Sequence, residues 1–64
     1  MNFVSVFHRS TAIDERTGKP FRWVHNLEAT EAVRYRDHVN AGKLDGAHVK
    51  VVAWLEGEAE PSMA

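Results

Sequence analysis

The chain contains no cysteine. Disulfides and thiolate metal sites are thereby excluded. It has no long apolar run either. The longest stretch is Val51–Leu55, far below the roughly 20 residues of a membrane-spanning helix. The start, Met1-Asn2-Phe3-Val4, lacks the basic segment and cleavage site of a signal peptide. The chain therefore reads as a complete small frame of the cytoplasm. No sign of charge dominates: 8 Lys and Arg face 9 Asp and Glu, for a net charge of −1. Glu56, Glu58 and Glu60 crowd the end. Without those three, residues 1–55 hold 8 basic against 6 acidic residues, or +2. That is not the basic footprint of a nucleic-acid binder, though it does not forbid a weak one. There is no internal repeat.

Chemistry-bearing motifs are also missing. The four histidines, His8, His25, His38 and His48, show neither HxH nor HExxH spacing. A zinc site needs three or four converging ligands, so independent histidines are expected and a metal is not. Gly18-Lys19 and Gly42-Lys43 stand alone, without the spaced glycines of a phosphate-cradling loop. Ser5, Ser10 and Thr11 have no nucleophile-elbow glycines around them. A domain this small also lacks the deep pocket that catalysis uses, typically about 300 Å³ or more. The expectation is no enzyme, no catalytic residue and no cofactor.

What is present is an ordinary globular composition, 44% apolar and 27% charged. Phe3, Phe7, Phe21, Trp23, Tyr35 and Trp54 can build a core. With 64 residues there is room for one domain. Such a chain buries only about 60% of its unfolded surface, and its core rarely supplies more than about 3–5 kcal/mol. With no disulfide or metal to help, pairing with another chain gains weight.

Residues 2–9 are β-branched and aromatic and read as a strand. Both of its faces carry apolar groups, Phe3 and Phe7 on one and Val4 and Val6 on the other. That pattern suits a central strand. Residues 10–19 connect, with Thr17-Gly18 as the turn signal. Residues 20–26 read as a second strand, and Pro20 suits an edge. Asn26, or alternatively Thr30, caps a helix over 27–40. Its stripe is Ala29, Ala32, Val33, Arg36 and Val39, with Tyr35 beside it. Gly42 stands where a helix C′ glycine belongs. Residues 47–55 read as a third strand. Val49, Val51, Ala53 and Leu55 point one way, and His48, Lys50, Val52 and Trp54 the other. The expected division is a domain at 1–55 and an acidic, disordered tail at 56–64.

The fold class expected is α+β: ββαβ, a three-stranded antiparallel sheet of order 2-1-3 with one helix on one face. The expected core is Phe3 or Val4, Val6 or Phe7, Phe21 or Val24, Trp23, Ala32, Val33, Val39, Val49, Val51 and Leu55. Hairpin register stays open. A long loop from Arg9 to Lys19 pairs Phe7 with Phe21. A tight turn at 15–18 extends the hairpin and brings His8 near His25. A shift by one residue moves every side chain to the other face.

One helix covers one face of such a sheet. The other face carries apolar groups among cations, a composition that marks partner surfaces. The expected partner-binding residues are Arg22, Val24, His48, Lys50, Val52 and Trp54. The partner is another protein or a second copy in a homodimer. A single-stranded nucleic acid stacking on Trp54 beside Lys50, His48 and Arg22 is the alternative. The plainer alternative is scattered surface residues with the acidic tail folded over them. Compact, cysteine-free chains of this size also suit accessory proteins of phages or mobile elements.

Overall fold

The computed structural model describes residues 2–62. Met1, and Met63 and Ala64 of the expected tail, lie outside the described residues. The elements are β1 (Phe3–Asp14), β2 (Lys19–Glu28), α1 (Ala29–His38), a wide π-type turn at Val39–Lys43, and β3 (Val51–Leu55). The sheet has the order β2-β1-β3, antiparallel throughout. The α+β class and the 2-1-3 order are as the sequence predicts.

The tight-turn register is the one adopted. Thr17 N and Gly18 N both donate to the Asp14 carbonyl, and Gly18 takes φ 71°. The Asp14 carboxylate accepts from the Arg16 backbone and guanidinium. These local bonds close the hairpin at 15–18 and extend β1 to Asp14. Val6 then faces His25, Phe7 faces Val24 and Arg9 faces Arg22. Pairing is irregular between Arg9 and Ile13, where Ser10 Oγ accepts from Ala12 N.

Parity now assigns the faces. Val4, Val6, His8 and Ser10 look toward the helix, with Val51, Ala53 and Leu55 of β3. Val6, Ala32, Val39, Val51 and Ala53 form the buried cluster, and Val4, Leu27, Tyr35, Val49 and Leu55 pack against it. Val33 does not join, at 40% exposure. Ala32, Tyr35, Arg36 and Val39 take the inward stripe at 3–4-residue spacing, and Val33 is rotated off it. Phe21, Trp23 and Val24 are exposed too. A ten-residue helix is about 15 Å long, whereas β1 has twelve residues and strands rise about 3.3 Å each. The hairpin therefore outreaches its cover.

Two boundaries differ from expectation. Asn26 does not cap the helix. β2 pairs as far as Glu28 with Phe3, so the helix starts later, and the Glu28 carboxylate accepts from Thr30 N at 3.1 Å. β3 begins at Val51 instead of residue 47. Gly46 N donates to Val49 O, and Asp45 Oδ1 takes Val51 N at 3.0 Å, which turns residues 46–49 away from the ladder. Gly42, read from the sequence as a helix C′ glycine, takes φ 88° within the π-type turn.

Candidate protein-binding surface

The face away from the helix is built from alternate residues: Phe3, Ser5, Phe7 and Arg9 of β1, Arg22, Val24 and Asn26 of β2, and Val52 and Trp54 of β3. Phe7 lies between Val24 and Trp54, and its ring stacks on Trp54 with centroids 5.9 Å apart. Ser5 Oγ donates to Asn26 Oδ1 at 2.8 Å. Phe7, Arg22, Val24 and Trp54 line a shallow concavity of about 260 Å³.

Four of the six predicted residues, Arg22, Val24, Val52 and Trp54, are therefore together. His48 is not with them, and Lys50 lies beyond Val52 at the far end of the ladder, opposite Thr11. Both precede β3 and are exposed, and the Lys50 backbone is held by Thr11. Of the two β1 sets that register left open, Phe3 and Phe7 take this face, and Arg9 joins them. Once the hairpin closes at 15–18, register alone places Arg9 opposite Arg22 and Phe7 opposite Val24.

The tail runs over part of this face. Glu56 N donates to Ser5 O, and its carboxylate accepts from Ser5 N. Gly57, at φ 86°, turns the chain. Glu58 then pairs with Arg36. Glu60 reaches Arg9 at 2.7 Å and both terminal nitrogens of Arg22 at 3.1 Å. Arg22 first, and Arg9 after it, hold the Glu60 carboxyl below its ordinary range. Trp54 is 9% exposed although the helix is on the other side. Phe7 stacks on it, and Glu60 ties the tail to Arg9 and Arg22 on the same face. In a Trp23→Phe background, Glu60→Ala is expected to raise acrylamide quenching of Trp54 and red-shift its emission. A tail that does not hold this face would leave both unchanged.

The two edges of the sheet differ. On β3, Val51 N is taken by Asp45 Oδ1 at 3.0 Å. The Asn40 amide both accepts from Ala53 N at 2.8 Å and donates to Ala53 O at 2.9 Å. Leu55 N is taken by Glu58 Oε1 at 2.8 Å. Every second residue of β3 is thus capped by a side chain, a device that blocks pairing with another strand. Nothing in the sequence flagged Asn40 or Asp45 for this task. β2 is twice as long, ten residues against five. Among the described residues no side chain caps the outer backbone of Arg22, Val24 or Asn26.

A polar aromatic cluster lies under the sheet. His8 is 1% exposed. Its Nδ1 lies 3.2 Å from the Trp23 carbonyl and its Nε2 2.8 Å from the Tyr35 hydroxyl. In the neutral ring Nδ1–H donates to the carbonyl, and Nε2 accepts from Tyr35. Trp23 stacks on His8 at 4.6 Å, and His25 is 5.1 Å away. Burial, aided by the neighbouring His25, lowers the His8 pKa against the opposing pull of the Trp23 carbonyl. Burial likewise raises that of Tyr35. Closed off in this way, His8 is a packing element. Among the described residues no three metal-ligating side chains converge.

A groove of about 740 Å³ lies at the hairpin tip, between Arg9, Arg16, Lys19, Phe21 and Arg22. Its size alone is no argument against catalysis. Its lining contains no histidine, and its carboxylate, Asp14, is lowered in pKa by the Arg16 side chain that binds it. No helix of the described residues is long and apolar enough to cross a membrane. Comparisons with protein-family models, with curated proteins and with solved structures found no match.

Proposed function

We propose that this chain is a non-enzymatic protein-binding module of the cytoplasm. It acts through the outer half of its sheet, where the β2 edge meets the open-face patch of Phe3, Phe7, Arg22 and Val24. The observation that carries the reading is the contrast between the edges: β3 is capped at every second residue, whereas among the described residues no side chain caps the longer β2 at Arg22, Val24 or Asn26. Phe3 at 58% and Val24 at 52% exposure add apolar surface beside the guanidinium of Arg22, a residue type enriched at interface hot spots. The small size and mixed charge suit an accessory protein of a phage or mobile element.

Nucleic acid is the weaker partner. Trp54 is covered and offers no stacking platform. Of the four cations in the hairpin-tip groove, three are paired, Arg16 with Asp14 and Arg9 and Arg22 with Glu60, which leaves Lys19. The protein reading is tested with a photo-crosslinking phenylalanine analogue placed at Val24 in cells, and at Val33 as an exposed control on the helix. Protein adducts are expected from position 24 and not from 33. No adduct from position 24 sinks the reading.

A further inference from the structure

We propose that the partner of β2 is β2 of a second copy, paired antiparallel about a two-fold axis at Val24 to give one continuous sheet. This deepens the protein-binding reading and rests on it.

Glu56 N donates to Ser5 O, and Thr11 N to Lys50 O, so the odd residues of β1 turn their backbone to β3. In an antiparallel sheet these directions alternate along the strand. The even residues Val4, Val6 and His8 therefore bond their β2 partners Leu27, His25 and Trp23. Ala29 N to Asn2 O continues the same set. Arg22, Val24 and Asn26 are left with both N–H and C=O pointing out of the sheet.

That free set is self-complementary. A two-fold axis through Val24, perpendicular to the sheet, places Val24 opposite Val24 of the second copy. Arg22 then faces Asn26, and Asn26 faces Arg22. Each facing pair exchanges both N–H···O bonds. The axis keeps both helices on one side. On that side Trp23 faces the second copy's His25, and Phe21 faces its Leu27. Phe21 thereby gains an apolar neighbour, and Trp23 an imidazole ring, beyond the reach of their own helix.

Other registers are poorer. Centring on Trp23 sets Asn26 against Pro20, which has no N–H to give. Centring on Arg22 sets two guanidinium groups directly opposite, which is unfavourable. Centring on His25 sets Arg22 against Glu28, whose carboxylate already holds the helix start at Thr30 N.

The test is solution mass by light scattering over a concentration series, with three variants. The wild type is expected at twice the 7.2 kDa chain mass. Val24→Lys puts two ammonium groups across the axis on an exposed position, and is expected to fall to the single-chain mass while keeping its circular dichroism. Val24→Cys is expected to form a disulfide-linked dimer, because facing residues lie about 5.5 Å apart at Cα, inside disulfide reach. Arg22→Cys is expected not to, since Arg22 and its copy are offset by four residues, about 13 Å. Val24→Cys needs only a folded chain with no other thiol, so it decides the matter even where Val24→Lys unfolds. A single-chain mass throughout overturns the proposal. So does a dimer that Val24→Cys does not cross-link. If the photo-crosslinker at position 24 gives adducts only with other proteins, the second copy is wrong and the protein-binding reading stands. If it gives no adduct, both fall.

Discussion

Val6→Ala is expected to lower the thermal midpoint by about 10–20 °C. Val6 is fully buried in the middle of the central strand, between His25 on β2 and Leu55 on β3. It sits in the buried cluster with Ala32, Val39, Val51 and Ala53, two of which are alanines with little side chain to move into a gap. The substitution removes two methyl groups, about 0.8 kcal/mol each in transfer terms, and adds a cavity cost. The sum is about 2–3 kcal/mol, against the roughly 3–5 kcal/mol a core of this size supplies. For a domain of this length each kcal/mol moves the midpoint by about 4–8 °C. Circular dichroism melts at one matched concentration give the measurement, since self-association would make the midpoint concentration-dependent. Val33→Ala, on α1 and 40% exposed, should cost less than about 0.5 kcal/mol. Equal shifts for the two variants would show that the helix is docked by a different stripe.

Acid sensitivity in the histidine range is the second large effect, and His8 is its expected source. The unfolded chain takes up a proton at His8 near the ordinary imidazole value of about 6.5. In the folded state burial first, and His25 after it, hold the ring neutral to lower pH. The unfolded state then binds more protons in the window between those two values, so stability falls as pH drops through it. Above the ordinary value both states are neutral and the His8 contribution is flat. Below the folded value the loss is complete. His8→Phe keeps a ring on Trp23 but cannot titrate. It should flatten the stability-versus-pH curve in this window. The loss of the partners of Tyr35 Oη and the Trp23 carbonyl should cost about 1–3 kcal/mol at neutral pH. If wild type and His8→Phe show the same slope, another histidine is responsible. Glu60 acts in a separate, lower window. Its carboxyl is depressed by Arg22 and Arg9, so its contact contributes above the ordinary carboxylate range and is lost as pH falls through the lowered value.

Val6 and His8 differ in how much of their place in the fold local pattern determines. The two-faced apolarity of residues 3–7 marks a central strand, and Val6 was named as one of two choices for the core. The choice itself was open because it depends on hairpin register. His8 gave no sign of full burial. Its neighbours in sequence are Phe7 and Arg9, and only parity against Trp23 and Tyr35 makes it the largest fully buried side chain. Of the candidate surface, Arg22, Val24, Val52 and Trp54 follow from period-2 alternation. The same alternation includes His48 and Lys50, but Asp45 and the turn at Gly46 carry His48 off the ladder, and Lys50 keeps only its bonds to Thr11.

Local chemistry determined the elements of this protein. Thr17-Gly18, Pro20 and Gly42 punctuate the chain, and the apolar spacing between them allows one hairpin, one helix and one returning strand, hence the 2-1-3 order. Tertiary structure decided what each surface is left to do. The face given to the helix turns on the parity of a single hairpin turn. The capping of β3 depends on Asn40, Asp45 and Glu58 reaching across 13, 6 and 3 residues to its backbone. The pairing of Glu60 with Arg9 and Arg22 spans most of the chain. Such long-range bonds leave no periodic trace in a sequence. They alone distinguish the capped edge from the open one.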